Sequence, residues 1–429
     1  PTNILIAALA AGITYRLALW VQAQTRTPAF VSAANMRIEP GPQLPRAIRY
    51  RVMALLAGIS LACVAIFHLF SQKTTLPDEL ENALALRNLQ ANTWVRYYQG
   101  SMDNGRFQGH AGSAYDSKRG TILVFGSDTH NEDWDNVVHE FDPAQKHWAS
   151  HYLPAPSSSY HADAMGRAVA GEQGDYPWAM HTYDAIIYDP TQDALVVTAI
   201  PLHNPIRQNI KEATIHPTWL YDLEARNWDM RDNQGKPSPT LFGGATAYDD
   251  ARDVLVAYSG NVWELGPERS EWLKTSVGAG HQIHHTMGYD SWRKKVFVFG
   301  NHKPSSEVWS YTPGSSAGSA GSWEKHVPGG DVPPPYTTTP VAFDREQGMF
   351  LLVADNPPLK NSPSASTYAY DPGNNVYYRL ADAGLPSVGM NYMMVWHHVY
   401  GVFFLVTEQP RGKVVVWALR LDPMELGSR

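Results

Sequence analysis

The chain has 429 residues, 44% of them hydrophobic, which is enough for one large core plus additional segments. Its 34 Lys and Arg stand against 41 Asp and Glu, a formal net charge of −7, and this argues against the basic patch of a nucleic-acid-binding protein. A single cysteine, Cys63, rules out an intramolecular disulfide, and the 33 Gly and 31 Pro suit many short strands joined by turns better than helices.

Residues 1–76 read as a membrane anchor. Val52–Ser71 is a run of about 20 residues without Asp, Glu, Lys or Arg, long enough to cross a hydrocarbon core of roughly 30 Å as a helix. Arg37, Arg46, Arg49 and Arg51 precede it and acidic residues follow it, so the charge rule keeps the preceding side in the cytoplasm and puts the remainder outside. Ile4–Trp20 is apolar but interrupted by Arg16. It reads as a second spanning helix or as an interfacial one. Residues 77–92 predict a short helical linker, with Asp78 as cap and Leu80, Ala83 and Leu84 on one face.

From residue 93 the chain repeats. An aromatic–acid pair, Tyr115-Asp116, precedes a turn and an apolar run ending at Gly126. A second pair, Phe141-Asp142, follows, and Trp148 closes the unit. The first pair recurs as Tyr188-Asp189, Tyr248-Asp249, Tyr289-Asp290 and Phe343-Asp344, with Trp396-His397 as a degenerate sixth. Successive pairs lie 73, 60, 41, 54 and 53 residues apart, and the shortest interval matches a four-stranded propeller blade. Each apolar run predicts a buried strand, and each acid is expected to accept hydrogen bonds from the amides of the turn behind it.

Closing aromatics follow in step: Trp148, Trp228, Trp272, Trp323 and Tyr378. The sixth unit ends without one, whereas Trp94 stands unclaimed ahead of the first. The expected fold is therefore all-β, a six-bladed propeller over 93–423 whose amino-terminal strand completes the last blade and removes the open edge between the chain's ends.

Apolar runs ending in Gly, followed by an aromatic–Asp pair and a spaced Trp, resemble the kelch family of β-propellers. Paired glycines after the strand, usual in that family, are mostly missing. The resemblance extends to sugar oxidases and isomerases, but the copper-radical chemistry of one such group needs a Cys cross-linked to a Tyr, and this domain has no Cys.

No nucleophile elbow, phosphate loop or dinucleotide fingerprint is present, so no catalytic residue and no cofactor is assigned. Histidine is abundant, with 17 residues. His110 and His284 hold the same offset before their aromatic–acid pairs, and that offset gives Tyr183, Gly243, Thr338 and Asn391 elsewhere. These positions are expected to ring one mouth of the central channel, with His181 beside Tyr183 in the register. A ring of His110, Tyr183, His284 and Asn391 suits a polar ligand, and His181 or His281 would add imidazole for a metal. The competing expectation is a channel lined with polar side chains because it is wet. No close-spaced metal-ligand motif favours a metal.

The long segment 154–183 contains Tyr160, His161, Asp163, Asp175, Trp178 and His181, with Asp184 beside it. It reads either as a carbohydrate site, with aromatic faces for sugar rings, or as a loop that packs its own Trp. With the insertion 201–218, it marks the first two blades as a contact face. The leading expectation is an extracytoplasmic interaction or structural subunit of a membrane complex. The alternative is a carbohydrate-binding or carbohydrate-active propeller.

Overall fold

In a computed structural model the described residues are 78–102, 109–131, 134–231, 238–239, 241–281, 283–301, 303, 305–336, 339–356, 364–408 and 413–426. The apolar segments 4–20 and 52–71, and Thr338, lie outside them. Among the described residues no helix is long and apolar enough to cross a membrane.

Every first aromatic–acid pair, and Trp396-His397 in its place in blade six, ends an innermost strand. Six antiparallel sheets form, and their innermost strands are Gly112–Asp116, Ile186–Asp189, Ala245–Asp249, Thr286–Asp290, Val341–Asp344 and Met394–His397. These strands neighbour one another in a closed ring, so the fold is a six-bladed β-propeller. Second strands such as Thr121–Phe125 and Ala194–Val197 are buried at every residue, because sheets pack on both of their faces. Blade five gains a short fifth strand, Gly329–Gly330, parallel to Val376–Tyr377, which the repeat did not announce.

The acids do what the turn needs. Asp116 Oδ1 accepts from the amides of Lys118 and Arg119 at 2.9 and 3.0 Å, Asp290 Oδ1 from Trp292 and Arg293 at 2.9 and 3.0 Å, and Asp344 Oδ1 from Glu346 and Gln347 at 2.8 and 3.0 Å. Four residues after the acid, or after His397, the chain takes a left-handed conformation in all six blades: Gly120, Asp193, Asp253, Lys294, Gly348 and Gly401. In blade six His397 replaces the acid, and its Nε2 reaches the Gly120 carbonyl of blade one at 3.0 Å instead.

Strand Val95–Gly100 pairs antiparallel with Val414–Leu419 as the outer strand of blade six, with Val95 opposite Ala418. Around it the two ends of the domain are sewn together. The Asn92 amide donates to the Arg420 carbonyl at 2.8 Å, and the Asn92 side chain exchanges hydrogen bonds with Asp422. The preceding helix runs Asp78–Arg87, with acids in its first turn and Arg87 in its last, matching its dipole. Its buried face is not the expected one. Leu86 is fully buried while Leu80 and Leu84 are exposed, because the helix docks through Asn82, whose side chain donates to the Ala144 carbonyl at 2.8 Å.

Candidate functional site

The entry to each innermost strand sets the site. His110, Tyr183, Gly243 and His284 share a left-handed backbone, with φ of 58°, 48°, 61° and 61°. This conformation costs a non-glycine residue roughly 1–2 kcal/mol. It is held by hydrogen bonds between blades: the Tyr183 amide donates to the His110 carbonyl at 3.1 Å and the His284 amide to the Gly243 carbonyl at 2.6 Å. A shared offset in the sequence thus becomes a shared, strained backbone state at one end of the channel.

Tyr183, only 2% exposed, is the hub. Its ring contacts those of His110, His181, Phe242, His284 and Tyr392 at centroid distances of 5.1–5.7 Å. Its hydroxyl lies 2.9 Å from His181 Nδ1 and 3.4 Å from His110 Nδ1. The structure therefore brings together His110, His181, Tyr183 and His284. Asn391 is turned away: its side chain donates to the Val406 carbonyl and accepts from the Met393 amide, and Tyr392 takes the place beside Tyr183. His281 is elsewhere too. It bonds the Tyr258 hydroxyl at 3.0 Å, and His285 bonds the Tyr258 carbonyl at 3.1 Å, so the GHQIHH segment sends one imidazole to the mouth and buries two in blades three and four.

Two histidines join that the repeat did not mark. His130 and His203 come from insertions without a counterpart in other blades, and both are exposed. Ring centroids are 4.3 Å apart for His110–His181, 4.7 Å for His130–His181, 4.9 Å for His130–His203, and 5.8 Å for both His110–His130 and His181–His203. Asp128 Oδ1 lies 3.8 Å from His110 Nε2.

Burial sets the charge state. It lowers the pKa of His110 below the ordinary histidine value, against the pull of Asp128, and pushes His181 down to about 2, with the neighbouring imidazoles adding repulsion. Both rings are neutral at pH 7, each able to donate at one nitrogen and accept at the other. Burial also raises the Tyr183 phenol, which stays protonated. Among the described residues no three His, Cys, Asp or Glu side chains converge on a metal position as they stand.

Beyond this plug the channel holds a cavity of about 600 Å³. Its wall is not the polar one expected. Ala114, Ile186, Met287, Val341 and Met394 face it, together with the aromatic of each first pair: Tyr115, Tyr188, Tyr248, Tyr289, Phe343 and Trp396. Asp184 supplies a carboxyl. It accepts from the Met287 amide at 2.8 Å, and burial raises its pKa well above the usual carboxylate range.

The two insertions of blades one and two fold into a single collar. Ala155, Tyr160, Ala168, Ala170, Trp178, Ala179 and Ala213 share a core on which Ile206 and Ile210 pack. Trp178 is fully buried and donates to the Val169 carbonyl at 2.7 Å, and Tyr160 stacks on it. The segment 154–183 therefore packs its own Trp, and neither ring is available to a sugar. Asp163 is occupied by Arg167 at 2.6 Å and by the hairpin amides, while Asp175 is exposed. No family model matches the chain, and a search of curated proteins finds no match.

Proposed function

We propose that this protein is a membrane-anchored propeller whose collar docks a protein partner, as an interaction or structural subunit of a membrane complex, with the propeller on the extracytoplasmic side. Val52–Ser71 serves as the anchor in the bilayer, and the propeller is read as a divergent kelch-like one. One observation carries the interaction reading. Two separate insertions fold into one packed collar that keeps large apolar side chains at its surface: Leu153 is 87% exposed, Met165 60%, Leu202 41% and Ile215 40%. A solvated elaboration has no need of its own core or of that apolar surface.

The test is gentle detergent extraction of wild-type chain and of a Leu153→Asp, Met165→Asp, Ile215→Asp variant, with identification of companions. A companion that the folded variant loses supports the proposal, and a monomer without companions from wild type sinks it. The second reading is a carbohydrate or other polar-ligand site at the channel mouth, favoured by the contact of His110, His181, Tyr183 and His284. It requires a sugar-dependent thermal shift that His110→Ala with His284→Ala abolishes.

A further inference from the structure

We propose that the axial cavity beneath the histidine plug binds a small organic ammonium ion with an apolar body, its charge seated on Asp184 and its body held among the channel aromatics. This goes beyond the docking role and does not depend on it.

Asp184 is out of step with the repeat. It follows Tyr183, and the residue at the same place in the other blades is Ala111, Gly244, His285, Thr339 or Tyr392. Only blade two brings a carboxyl there. Its hydrogen bond shows where that carboxyl lies. Asp184 Oδ2 accepts from the amide of Met287, which belongs to the innermost strand of blade four. Blade three stands between the two around the ring. The side chain therefore crosses into the channel to make this bond. Among the described residues it is the only hydrogen bond of the carboxyl, so Oδ1 has no partner. Asp184 keeps part of its surface accessible, and it lines the cavity.

The wall suits a cation better than a polyol. Six aromatics line it, one from each blade: Tyr115, Tyr188, Tyr248, Tyr289, Phe343 and Trp396. Two of the phenols are already engaged, since the Tyr188 hydroxyl donates to Asp193 Oδ1 at 2.9 Å and the Tyr248 hydroxyl to Asp253 Oδ1 at 3.0 Å. These two residues leave ring surface to an occupant, not hydroxyls. Aromatic faces are negative and attract a cation over them.

Charge points the same way. Asp184 is the only carboxyl of the wall, and an enclosed carboxylate needs a counter-charge. The wall's one guanidinium, Arg345, comes from the turn that follows Asp344 and already pairs with Asp250 at 2.8 Å. An ammonium ion supplies the missing charge. The volume of about 600 Å³ falls within the roughly 300–1,000 Å³ of small-molecule sites and leaves room for the ion's apolar body. Ser117, Pro190, Arg345 and His398 border the cavity at the turn ends of the innermost strands, away from the plug, and this is the side of entry.

The experiment is calorimetric titration of the purified full-length chain with two ammonium ions and their uncharged counterparts: phenethylammonium against phenethyl alcohol, and choline against neohexyl alcohol. At least one ammonium ion should bind one-to-one and at least about 10-fold more tightly than its counterpart. Asp184→Asn keeps an oxygen for the Met287 amide and should abolish that preference. Tyr248→Leu keeps apolar bulk, removes one ring and should weaken ammonium binding about 3-fold or more. The collar variant of the docking test should bind as wild type does, which separates this site from that surface. Should Asp184→Asn fail to fold, the charged and uncharged pairs still decide the matter on the wild-type chain. Equal binding of ammonium ion and counterpart, an undiminished preference in folded Asp184→Asn, or no binding of either ammonium ion below about 10 mM would each overturn the site.

Discussion

Trp94 Nε1 donates a hydrogen bond of 2.8 Å to Thr367 Oγ1, joining residues 273 positions apart. Other closing tryptophans make the same kind of reach into the preceding blade: Trp228 to the Tyr152 hydroxyl at 2.7 Å, Trp272 to the Thr218 hydroxyl at 3.0 Å and Trp323 to the Val277 carbonyl at 3.0 Å. In four blades the closing tryptophan is thus a clasp onto the preceding blade, and Trp94 is the clasp that locks the ring. Trp94→Phe should cost about 1 kcal/mol, one net hydrogen bond, and Trp94→Ala about 3–5 kcal/mol. Denaturant unfolding followed by tryptophan fluorescence and circular dichroism measures both. A Trp94→Ala protein as stable as wild type would show that blade six is not closed by this strand.

Arg269 ties blade three to blade two. Its guanidinium, 4% exposed, pairs with the fully buried Asp189 at 2.7 and 2.9 Å and with Asp253 at 2.6 Å. Arg269→Met leaves the Asp189 charge buried without its ionic partner, a loss of about 3–5 kcal/mol. Adding Asp189→Asn should recover part of that loss. The double-mutant cycle reads the coupling, and additive effects would refute it.

At Gly112 the backbones of blades one and two approach closely. A Cβ there would overlap the Tyr183 carbonyl oxygen and Ile186 Cγ2. Because the obstacle includes backbone, it cannot swing aside. Gly112→Ala should destabilise by about 1–3 kcal/mol and disturb Tyr183. A thermal melt checks the first consequence, and tyrosine fluorescence or near-UV circular dichroism the second.

Acid should unfold the propeller through its buried histidines. Burial pushes His281 and His397 down to about 4 and His285 to about 3. For a histidine with a lowered folded pKa, the unfolded chain binds more protons below pH 6.5. Stability is therefore complete above that value and is lost as pH falls toward 4. Asp344, raised to about 6, and Asp184, Asp250 and Asp355, also raised by burial, act in the opposite sense, but among the described residues His110, His181, His203, His216 and His326 are lowered as well. Each such histidine should remove roughly 1–2 kcal/mol by pH 5. Denaturant midpoints at pH 7 and pH 5 should differ, and by less in His397→Gln.

The blade architecture was legible because each blade must satisfy the same local demands. A turn with two free amides calls for an acid, a strand covered on both faces calls for an apolar run, and a gap between adjacent sheets calls for a large aromatic. Asp116, Ile122 and Trp148 state those demands in order, and the later units restate them. Even the closing strand could be inferred, since a missing clasp at one end matched a spare Trp94 at the other.

The site was legible only in part. His110, Tyr183 and His284 stood out because they share a register, and that register corresponds to a backbone state. Asn391 shares the offset but not the geometry: a polar side chain that can bond its own blade does so, and Tyr392 fills the gap. His130 and His203 lie in insertions with no repeat to compare, and the aromatic wall of the channel depended on how six innermost strands pack around one axis. A periodic pattern by itself determined the repeat, its count and its closure. Only the tertiary structure decided which side chains from unrelated stretches meet, because proximity across blades depends on how sheets pack and loops fold, and no local rule of spacing encodes that.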